Sequence, residues 1–271
     1  MDSLGDRMKG YEAAESGRRF LPMLPVYARI DGRNFSALTR GMDRPYDIAM
    51  SGAMIRTTER LVEETHARIG YTQSDEISLV WLAEEAKSSI FFDHKISKMT
   101  SILAAYATAA FILALQEGRH AAAAKKMPHF DCRVFQLPNR TEAANVFLWR
   151  ELDATKNAVS MAARAVYSHR ELYRKTGSAM QELLFAKGIN FNDFPAFFKR
   201  GTFVRREVRL RPFSETELAR IPEQHRPAPG TLVERTHLVR LDMPRFASVT
   251  NREAVIFDGA IPTTRRDDAD D

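Results

Sequence analysis

The spacing of apolar and polar residues divides the chain into strand-like and helix-like segments. Residues 24–30 form a short apolar run, typical of a buried strand, and apolar residues recur at helical spacing over 48–62. Two β-prone segments then flank a polar turn, and a long helical stripe follows over 88–117. The other predicted elements are a strand at 130–137, helices from 141 and over 178–187, and strands at 232–241 and 254–257. This order predicts an α+β fold in which helices cover an antiparallel sheet.

The composition changes after Leu210, where prolines at 212, 222, 227 and 229 interrupt the chain. We therefore expect a main domain over residues 1–210 and a β-containing C-terminal appendage over residues 211–262. Residues 263–271 carry too many charges to bury an apolar core, so we expect a charged tail there.

The overall composition narrows the class of protein. A chain of 271 residues with 44% hydrophobic residues can bury a sizeable core, which excludes general disorder. The formal charge of +5 permits a polyanionic partner without requiring one. The single cysteine, Cys132, cannot form an internal disulfide, which favours a cytoplasmic location, and its strand-like setting favours a small core residue. The longest apolar run, residues 102–115, is shorter than a bilayer requires, so we expect no membrane partner.

A carboxylate lies at the end of the first predicted strand. Asp31 follows the apolar run directly, and Gly32 permits a backbone turn before the next predicted helix. Backbone N–H groups at a helix start bind phosphates, and carboxylate oxygens bind hard cations such as Mg²⁺. The segment is therefore a candidate site for a metal-bound polyphosphate.

The predicted hairpin carries acids at its tip, where residues 73–76 read Gln-Ser-Asp-Glu. If Asp75 lies beside Asp31, the two carboxylates form a site for two Mg²⁺ ions that promote in-line phosphoryl chemistry. The same residues also fit two ordinary features, an Asp-Gly turn and a solvated acidic loop. The pattern alone leaves both interpretations open.

Basic and aromatic side chains occur in two further places. Lys95 and Lys98 share one side of the predicted helix 88–117, where they either face solvent or bind a triphosphate. Residues 197–201 combine phenylalanines with Lys199 and Arg200, a mixture that either clamps a nucleic-acid end or forms a turn with its rings inward. A polar row that includes Asn157 is typical of the solvated side of a helix.

Five short segments, in order within residues 8–205, resemble the tRNA-histidine guanylyltransferase superfamily. They are residues 29–35 (Arg-Ile-Asp-Gly-Arg-Asn-Phe), 71–76 (Tyr-Thr-Gln-Ser-Asp-Glu), 95–99 (Lys-Ile-Ser-Lys-Met), 130–133 (Phe-Asp-Cys-Arg) and 199–201 (Lys-Arg-Gly). The resemblance implies a polymerase-palm-like (ferredoxin-like) fold and an enzyme that adds nucleotides in the 3′-to-5′ direction to the 5′ end of tRNA. It implies GTP and ATP as substrates, two Mg²⁺ ions and a homotetramer.

The resemblance also implies which residues hold the metals and the incoming nucleotide. Asp31 and Asp75 correspond to the catalytic carboxylates, which bind both Mg²⁺ ions together with the Gly32 carbonyl. The residues that correspond to the binding site of the incoming nucleotide and its triphosphate are these two carboxylates together with Gly32, Arg33, Asn34, Phe35, Ser36 and Ser74.

The same resemblance implies roles for further residues. Arg44 stands where many relatives have a phosphate-binding lysine, and Asp47 matches a position near the base or is only a helix N-cap. Lys95 and Lys98 match residues that hold a second triphosphate at the RNA end being activated. The predicted RNA contacts are Asn157, Lys199 and Arg200.

One departure from the eukaryotic members bears on the substrate. Eukaryotic enzymes that add the extra guanylate carry a His-Ile-Asn-Asn-Leu-Tyr-Asn segment, whereas residues 153–159 here are Asp-Ala-Thr-Lys-Asn-Ala-Val. This resembles the bacterial and archaeal type, whose members repair 5′-truncated tRNAs by copying the opposite strand. The alternatives are guanylate addition to tRNA-histidine, a palm-type nucleotide cyclase and a non-catalytic tRNA-binding protein.

Overall fold

The structure, a computed structural model, describes residues 3–265 of the chain. Its helices are α1 (Leu4–Ser16), α2 (Phe35–Leu38), α3 (Ile48–Thr65), α4 (Ile96–Gln116), α5 (Ala121–Ala124), α6 (Arg140–Val166), α7 (His169–Leu172), α8 (Gly177–Ala186), α9 (Ala196–Arg200), α10 (Glu215–Arg220) and α11 (Arg252–Phe257). Its strands are β1 (Val26–Gly32), β2 (Ile69–Gln73), β3 (Glu76–Trp81), β4 (Phe130–Gln136), β5 (Thr202–Pro212) and β6 (Leu232–Arg240). Short 3₁₀ turns lie at Phe91–His94, Phe191–Asp193 and Glu223–His225.

The strands of this region form a six-stranded antiparallel sheet in the order β4-β1-β3-β2-β5-β6. The predicted combination of helices with an antiparallel sheet is therefore confirmed. β1, which carries Asp31 next to its last residue, lies between β4 and β3 and therefore has a neighbouring strand on each side. This position places Asp31 opposite Glu76 on one neighbour and Asp131 on the other.

Helices cover both faces of the sheet. Ala28 and Ile30 of β1 pack with α3 and α4 on one face, whereas Tyr27 packs with α6 and α11 on the other. Burial on both faces explains why the strands alternate only partly between apolar and polar residues. Cys132 lies in the first of these cores, where burial raises the pKa of its thiol to about 12, as expected for a core residue.

α4 is the central helix of the first core. It has the length and composition of a membrane-spanning helix. Its buried stripe, including Met99, Leu103 and Phe111, packs against α3 and the sheet, so one side of this helix belongs to the first core. The helix begins at Ile96 and not near residue 88, because Phe92 and Asp93 in the preceding 3₁₀ turn have positive φ angles.

The structure corrects one predicted strand. Residues 254–257 belong to the helix α11, in which Val255, Ile256 and Phe257 are all buried against the core of α6. A run of four apolar residues does not distinguish a strand from a short buried helix, and the surrounding packing decides between them. The first helix, α1, buries none of its residues.

The expected C-terminal appendage is joined to the main body through the sheet. The predicted boundary after residue 210 falls inside β5, whose first residues pair with β2 and whose residues 204–212 pair with β6. Beyond the sheet, Glu217 of α10 accepts hydrogen bonds from Arg211 and Arg235 and so fastens α10 to both strands. An independent domain over residues 211–262 stays a prediction, and part of the expected tail, residues 266–271, lies outside the described residues.

Candidate active site

The end of β1 meets the turn between β2 and β3. The backbone N–H of Gly32 donates a hydrogen bond of 3.0 Å to the carbonyl oxygen of Asp75. Asp31 lies opposite Glu76 in the strand register, directly next to this turn. Asp31 and Asp75, which are more than forty residues apart in the sequence, are therefore neighbours in the fold, as predicted.

The electrostatics of this corner disfavour negative charge. Burial and the nearby Asp131 carboxylate raise the pKa of Asp31. Burial and the charge of Asp31 raise the pKa of Asp75. Carboxylates that repel one another in a partly buried corner bind a proton or a cation more readily than exposed ones do.

The two acids at the hairpin tip have different partners. Glu76 is buried and accepts two hydrogen bonds from Arg150 of α6, at 2.7 and 2.8 Å. Arg150 also donates to Asp153 at 3.1 Å. The interpretation of the tip as a solvated acidic loop is therefore wrong, because Glu76 is neutralised inside the protein and Asp75 is left beside Asp31.

Gly32 is required for a reason other than the expected turn. It remains in the extended strand, and an added Cβ would lie 2.4 Å from the Phe35 ring. The left-handed residue of this turn is Asn34, at a φ of 57°. The ring of Phe35 packs against Phe111 and Phe130, with centroids 5.3 and 5.1 Å apart, so it cannot easily move away.

The backbone after Asp31 offers N–H groups towards the site. The N–H of Arg33 is used in a 2.9 Å hydrogen bond to the carbonyl of His129. The N–H groups of Asn34, Phe35 and Ser36 stand at the start of α2, where no preceding helical turn supplies carbonyl partners. These three consecutive N–H groups can donate hydrogen bonds to a phosphate, and the predicted triphosphate contacts stay a prediction.

A cleft of about 320 Å³ opens beside the carboxylates. Its volume lies within the range of small-molecule sites. Seven residues predicted from the sequence line it, namely Phe35, Ser36, Arg44, Asp47, Ser74, Asp75 and Asn157, whereas the predicted residues 31–34 do not. These positions come from α2, the loop before α3, the β2–β3 turn and α6, so the fold brings together segments that are distant in the chain.

Asp47 is the helix N-cap that the sequence indicated, and its contact with a nucleotide base stays a prediction. Its Oδ1 accepts the Met50 N–H as the N-cap of α3, at 2.9 Å. Its Oδ2 lies 2.9 Å from Nε2 of His120 and accepts the Asp43 N–H at 3.3 Å. Burial opposes ionisation of Asp47, but these hydrogen bonds lower its pKa overall. Asp47 lines the cleft with both oxygens already engaged.

Aromatic rings form one wall of the cleft. Tyr46 packs against Phe197 and Phe198, with ring centroids 5.3 and 4.7 Å apart, and both phenylalanines line the cleft. Next to them, the Lys199 ammonium donates to the carbonyl of Asn192, and the Arg200 carbonyl accepts a 2.8 Å hydrogen bond from a buried tyrosine. The segment therefore has its aromatic rings packed inward, and the RNA contacts of its basic residues stay predictions.

The structure does not bring Lys95 and Lys98 to the carboxylates of the same chain. Lys95 precedes α4, and its backbone forms a bridge with Arg19 near the opposite end of β1. Phe111, near the other end of α4, packs on Phe35. Since an α-helix rises about 1.5 Å per residue, Lys98 lies roughly 20 Å along α4 from Phe111.

A second group of side chains lies on the other side of Asp31 from the cleft. Arg29 is two residues before Asp31 on the same face of β1, and its register partner on β4 is Arg133. The Arg29 guanidinium lies 5.8 Å from the ring centroid of Trp149 on α6. Period-two spacing from Asp31 could have singled out Arg29, but no local signal indicated that α6 supplies Trp149 and Arg150.

No group of three or more His, Cys, Asp or Glu side chains within residues 3–265 is arranged to hold a metal ion. A cation at the Asp31–Asp75 corner would therefore depend on two carboxylates, on backbone oxygens and on oxygens of a bound substrate. This donor set is typical of Mg²⁺, which retains several water or phosphate ligands in nucleotide-processing enzymes.

Known proteins are similar to this chain in sequence and in fold. The family model described as tRNAHis guanylyltransferase (Thg1) matches residues 5–138. A bacterial tRNA(His) guanylyltransferase-like protein in complex with ATP is 36% identical, with a TM-score of 0.70 over 75% of this chain and 88% of that chain. A bacterial protein of the same description in complex with GTP is 29% identical, with a TM-score of 0.70 over 91% of this chain and 94% of that chain. A probable tRNA(His) guanylyltransferase from Dictyostelium discoideum is 27% identical over 195 residues, 66% of this chain and 74% of that protein.

Together, the nucleotide-sized cleft beside paired carboxylates and these similarities define the protein as a nucleotidyltransferase. The similarity to the ATP-bound structure extends over most of that protein at more than one-third identity. The chain belongs to the tRNA(His) guanylyltransferase family. The resemblance predicted from the five sequence segments is confirmed.

Proposed function

We propose that the protein adds nucleotides to the 5′ end of tRNA in the 3′-to-5′ direction, and that its main reaction is template-dependent repair of 5′-truncated tRNA. The observation that carries the proposal is that Asp31 lies next to Asp75, which itself lines a nucleotide-sized cleft. The order of the surrounding elements is compatible with a polymerase-palm-like core. Related proteins bound to ATP and to GTP support both nucleotides as substrates.

Asp31 and Asp75, with the Gly32 carbonyl, would hold two Mg²⁺ ions. Their raised pKa values support this assignment, because a cation would relieve the repulsion that now disfavours their ionisation. When bound, Mg²⁺ activates an attacking oxygen and neutralises charge on a leaving phosphate. The carboxylates themselves fix the place at which the two reacting groups meet.

The reaction has two phosphoryl-transfer steps. A 5′-monophosphate oxygen of the RNA attacks the α-phosphorus of ATP, and pyrophosphate leaves. The 3′-hydroxyl of the incoming nucleotide then attacks the activated 5′-phosphorus, and AMP leaves. The N–H groups of residues 34–36 bind the triphosphate and Arg44 adds positive charge at the cleft wall. The aromatic wall around Tyr46 packs against the base of the nucleotide.

Residues 153–159 support repair over dedicated tRNA-histidine maturation. They lie in α6, and Asn157, the position shared with the eukaryotic segment, lines the cleft. Asp153 is occupied by its contact with Arg150. The remaining side chains lack the histidine, asparagine and tyrosine groups of the eukaryotic segment.

The location of Lys95 and Lys98 is compatible with a role at the second triphosphate only if another subunit is involved. We propose that these lysines act on the active site of a neighbouring subunit in a homotetramer. Mixing inactive Asp75→Asn subunits with Lys98→Ala subunits then restores nucleotide addition. If the mixture stays inactive although the subunits exchange, the lysines do not act across subunits.

The substrate is tested with two RNAs and each nucleoside triphosphate in turn. One RNA is a tRNA lacking its first nucleotide, and the other is intact tRNA-histidine; Asp75→Asn protein is the control. We expect faster extension of the truncated tRNA, with the added nucleotide complementary to the opposite strand. Addition of guanylate to tRNA-histidine alone would replace repair with tRNA-histidine maturation.

A further inference from the structure

Trp149 is an exposed aromatic side chain next to the catalytic corner. It is 52% exposed on α6, whereas the second tryptophan of the chain, Trp81, is 2% exposed in the core. Single large apolar side chains on a surface need no explanation, but tryptophan is enriched at binding surfaces because its ring buries a large area while its N–H remains able to bond.

Two guanidinium groups fix the Trp149 ring. That of Arg150 lies 4.5 Å from the ring centroid and that of Arg29 lies 5.8 Å from it. Arg150 is itself anchored by its two hydrogen bonds to Glu76. The ring is therefore pre-organised, although half of its surface faces solvent.

The position of Trp149 relative to the cleft leaves room for a second substrate. Asn157, which lines the cleft, is eight residues further along α6, so Trp149 lies roughly 12 Å along the helix from it. Trp149 contacts Arg29, which precedes Asp31 on β1. The nucleotide cleft, which Asp75 lines, and the Trp149 ring are therefore separate places along α6, and Arg29 links the ring to the strand that carries Asp31.

The chemistry around the ring favours an uncharged planar group. Arg150 pairs with Glu76 and Asp153, Arg29 lies 4.0 Å from Glu76, and Arg133 lies 3.7 Å from Asp131, so each of these guanidinium groups has a carboxylate within 4 Å. The surroundings therefore offer little free positive charge for a phosphate. A nucleobase has a π-face and no charge, and base–aromatic stacking is independent of sequence.

We propose that Trp149 is a stacking platform for the 5′-terminal base of the RNA substrate. This inference rests on the proposed function, because that reaction brings an RNA 5′ end to the carboxylates while a nucleoside triphosphate occupies the cleft. Stacking on Trp149 holds the terminal nucleotide in line with the incoming one and accepts any of the four bases, as repair of different tRNAs requires.

The test compares two 5′-monophosphorylated acceptor-stem hairpins that differ in one group. One carries a normal 5′-terminal nucleotide and the other carries an abasic ribose at that position. Binding is measured by filter retention and by quenching of tryptophan fluorescence. The proteins are wild type, Trp149→Phe, Trp149→Leu and Leu152→Ala, a control that removes another exposed apolar side chain of the same helix.

We expect the abasic hairpin to bind wild type and Trp149→Phe about tenfold more weakly than the normal hairpin. Trp149→Leu should bind the normal hairpin about tenfold more weakly, bind both hairpins equally, and keep the wild-type affinity for GTP. The normal hairpin should quench the Trp149 fluorescence of wild type. Trp149→Phe lacks that tryptophan and should not show this quenching. Leu152→Ala should behave as wild type.

Three outcomes would overturn the inference. If Trp149→Leu binds and extends the normal hairpin as wild type does, RNA is a substrate but Trp149 does not stack on it. If Trp149→Leu instead dissociates the assembly in sedimentation without distinguishing the two hairpins, the ring is a subunit contact. If wild type binds neither hairpin and extends no RNA, the proposed function fails together with the stacking.

Discussion

Arg150 and Glu76 form a bidentate ion pair between α6 and β3, with Nε 2.7 Å from Oε1 and Nη2 2.8 Å from Oε2. Each side chain is only 7% exposed. The pair fixes the α6 helix, which carries Trp149 and Asn157, over the strand that follows the catalytic turn. It also neutralises Glu76, so Asp75 is the hairpin acid that remains available next to Asp31.

Breaking this pair on one side should destabilise the protein strongly. Arg150→Met leaves the buried Glu76 carboxylate with the more distant Arg29 guanidinium, at 4.0 Å, and we expect a loss of about 3 kcal/mol in the free energy of unfolding, measured by urea denaturation. The double variant Arg150→Met/Glu76→Leu should recover most of that loss, because it removes both buried charges. A double variant as unstable as the single one would show that the pair is not the source of the effect.

The catalytic carboxylates should have opposite effects on activity and stability. Because burial and a nearby carboxylate, Asp131 for Asp31 and Asp31 for Asp75, raise the pKa values of both residues, their ionised forms disfavour folding at neutral pH. Asp31→Asn and Asp75→Asn should therefore abolish nucleotide addition and raise the melting temperature. The exposed Asp193→Asn is the control and should change neither quantity. Retained activity in Asp31→Asn with Mg²⁺ would rule out the metal assignment.

The elements with local signals could be predicted from the sequence. The strand before Asp31 was predicted at residues 24–30 and is Val26–Gly32, and Asp47 caps α3 as its position before the apolar stripe indicated. In these cases the apolar residues and the capping side chain that determine the element lie within a few positions of each other. A short segment of the sequence is therefore enough to predict the element.

Other features depend on contacts between distant residues. Nothing near Glu76 indicates that its partner is Arg150, which lies 74 positions later. The helical state of residues 254–257 is decided by packing on α6, and the distance of Lys98 from Asp31 follows from the direction of α4 across the sheet. These properties arise from tertiary packing, which local propensity does not determine.

Glu151 should make stability depend on pH. It is 3% exposed, it accepts a 2.7 Å hydrogen bond from the Phe246 N–H, and burial raises its pKa to about 7 from an ordinary 4.5. Between these two values the folded protein keeps the proton that the unfolded chain has lost, so stability falls as the pH rises through this window. Above about pH 7 this contribution becomes constant.

We expect wild type to lose about 2 kcal/mol more than Glu151→Gln between about pH 5 and about pH 8, as measured by urea denaturation at both values. The amide keeps an oxygen acceptor for the Phe246 N–H but has no charge to bury. The comparison between the two proteins cancels the other groups that titrate in this range. Parallel pH profiles for wild type and variant would show that Glu151 is already ionised in the folded protein at low pH.

Gly32→Ala should destabilise the protein and reduce nucleotide addition together. The new methyl group would lie 2.4 Å from the ring of Phe35, and that ring is held by Phe111 and Phe130, so we expect a loss of about 1–3 kcal/mol in unfolding free energy. The displaced strand end would also weaken the 3.0 Å hydrogen bond from the Gly32 N–H to Asp75.

Two variants separate this collision from a general intolerance of substitution. Gly32→Ala/Phe35→Leu removes the ring that the methyl group meets and should regain part of the lost stability. Gly10→Ala in α1, where no atom lies within 4 Å of the added Cβ, should be neutral or stabilising by up to about 1 kcal/mol. If the double variant is no more stable than Gly32→Ala, the backbone at this position, and not the Phe35 ring, requires the glycine.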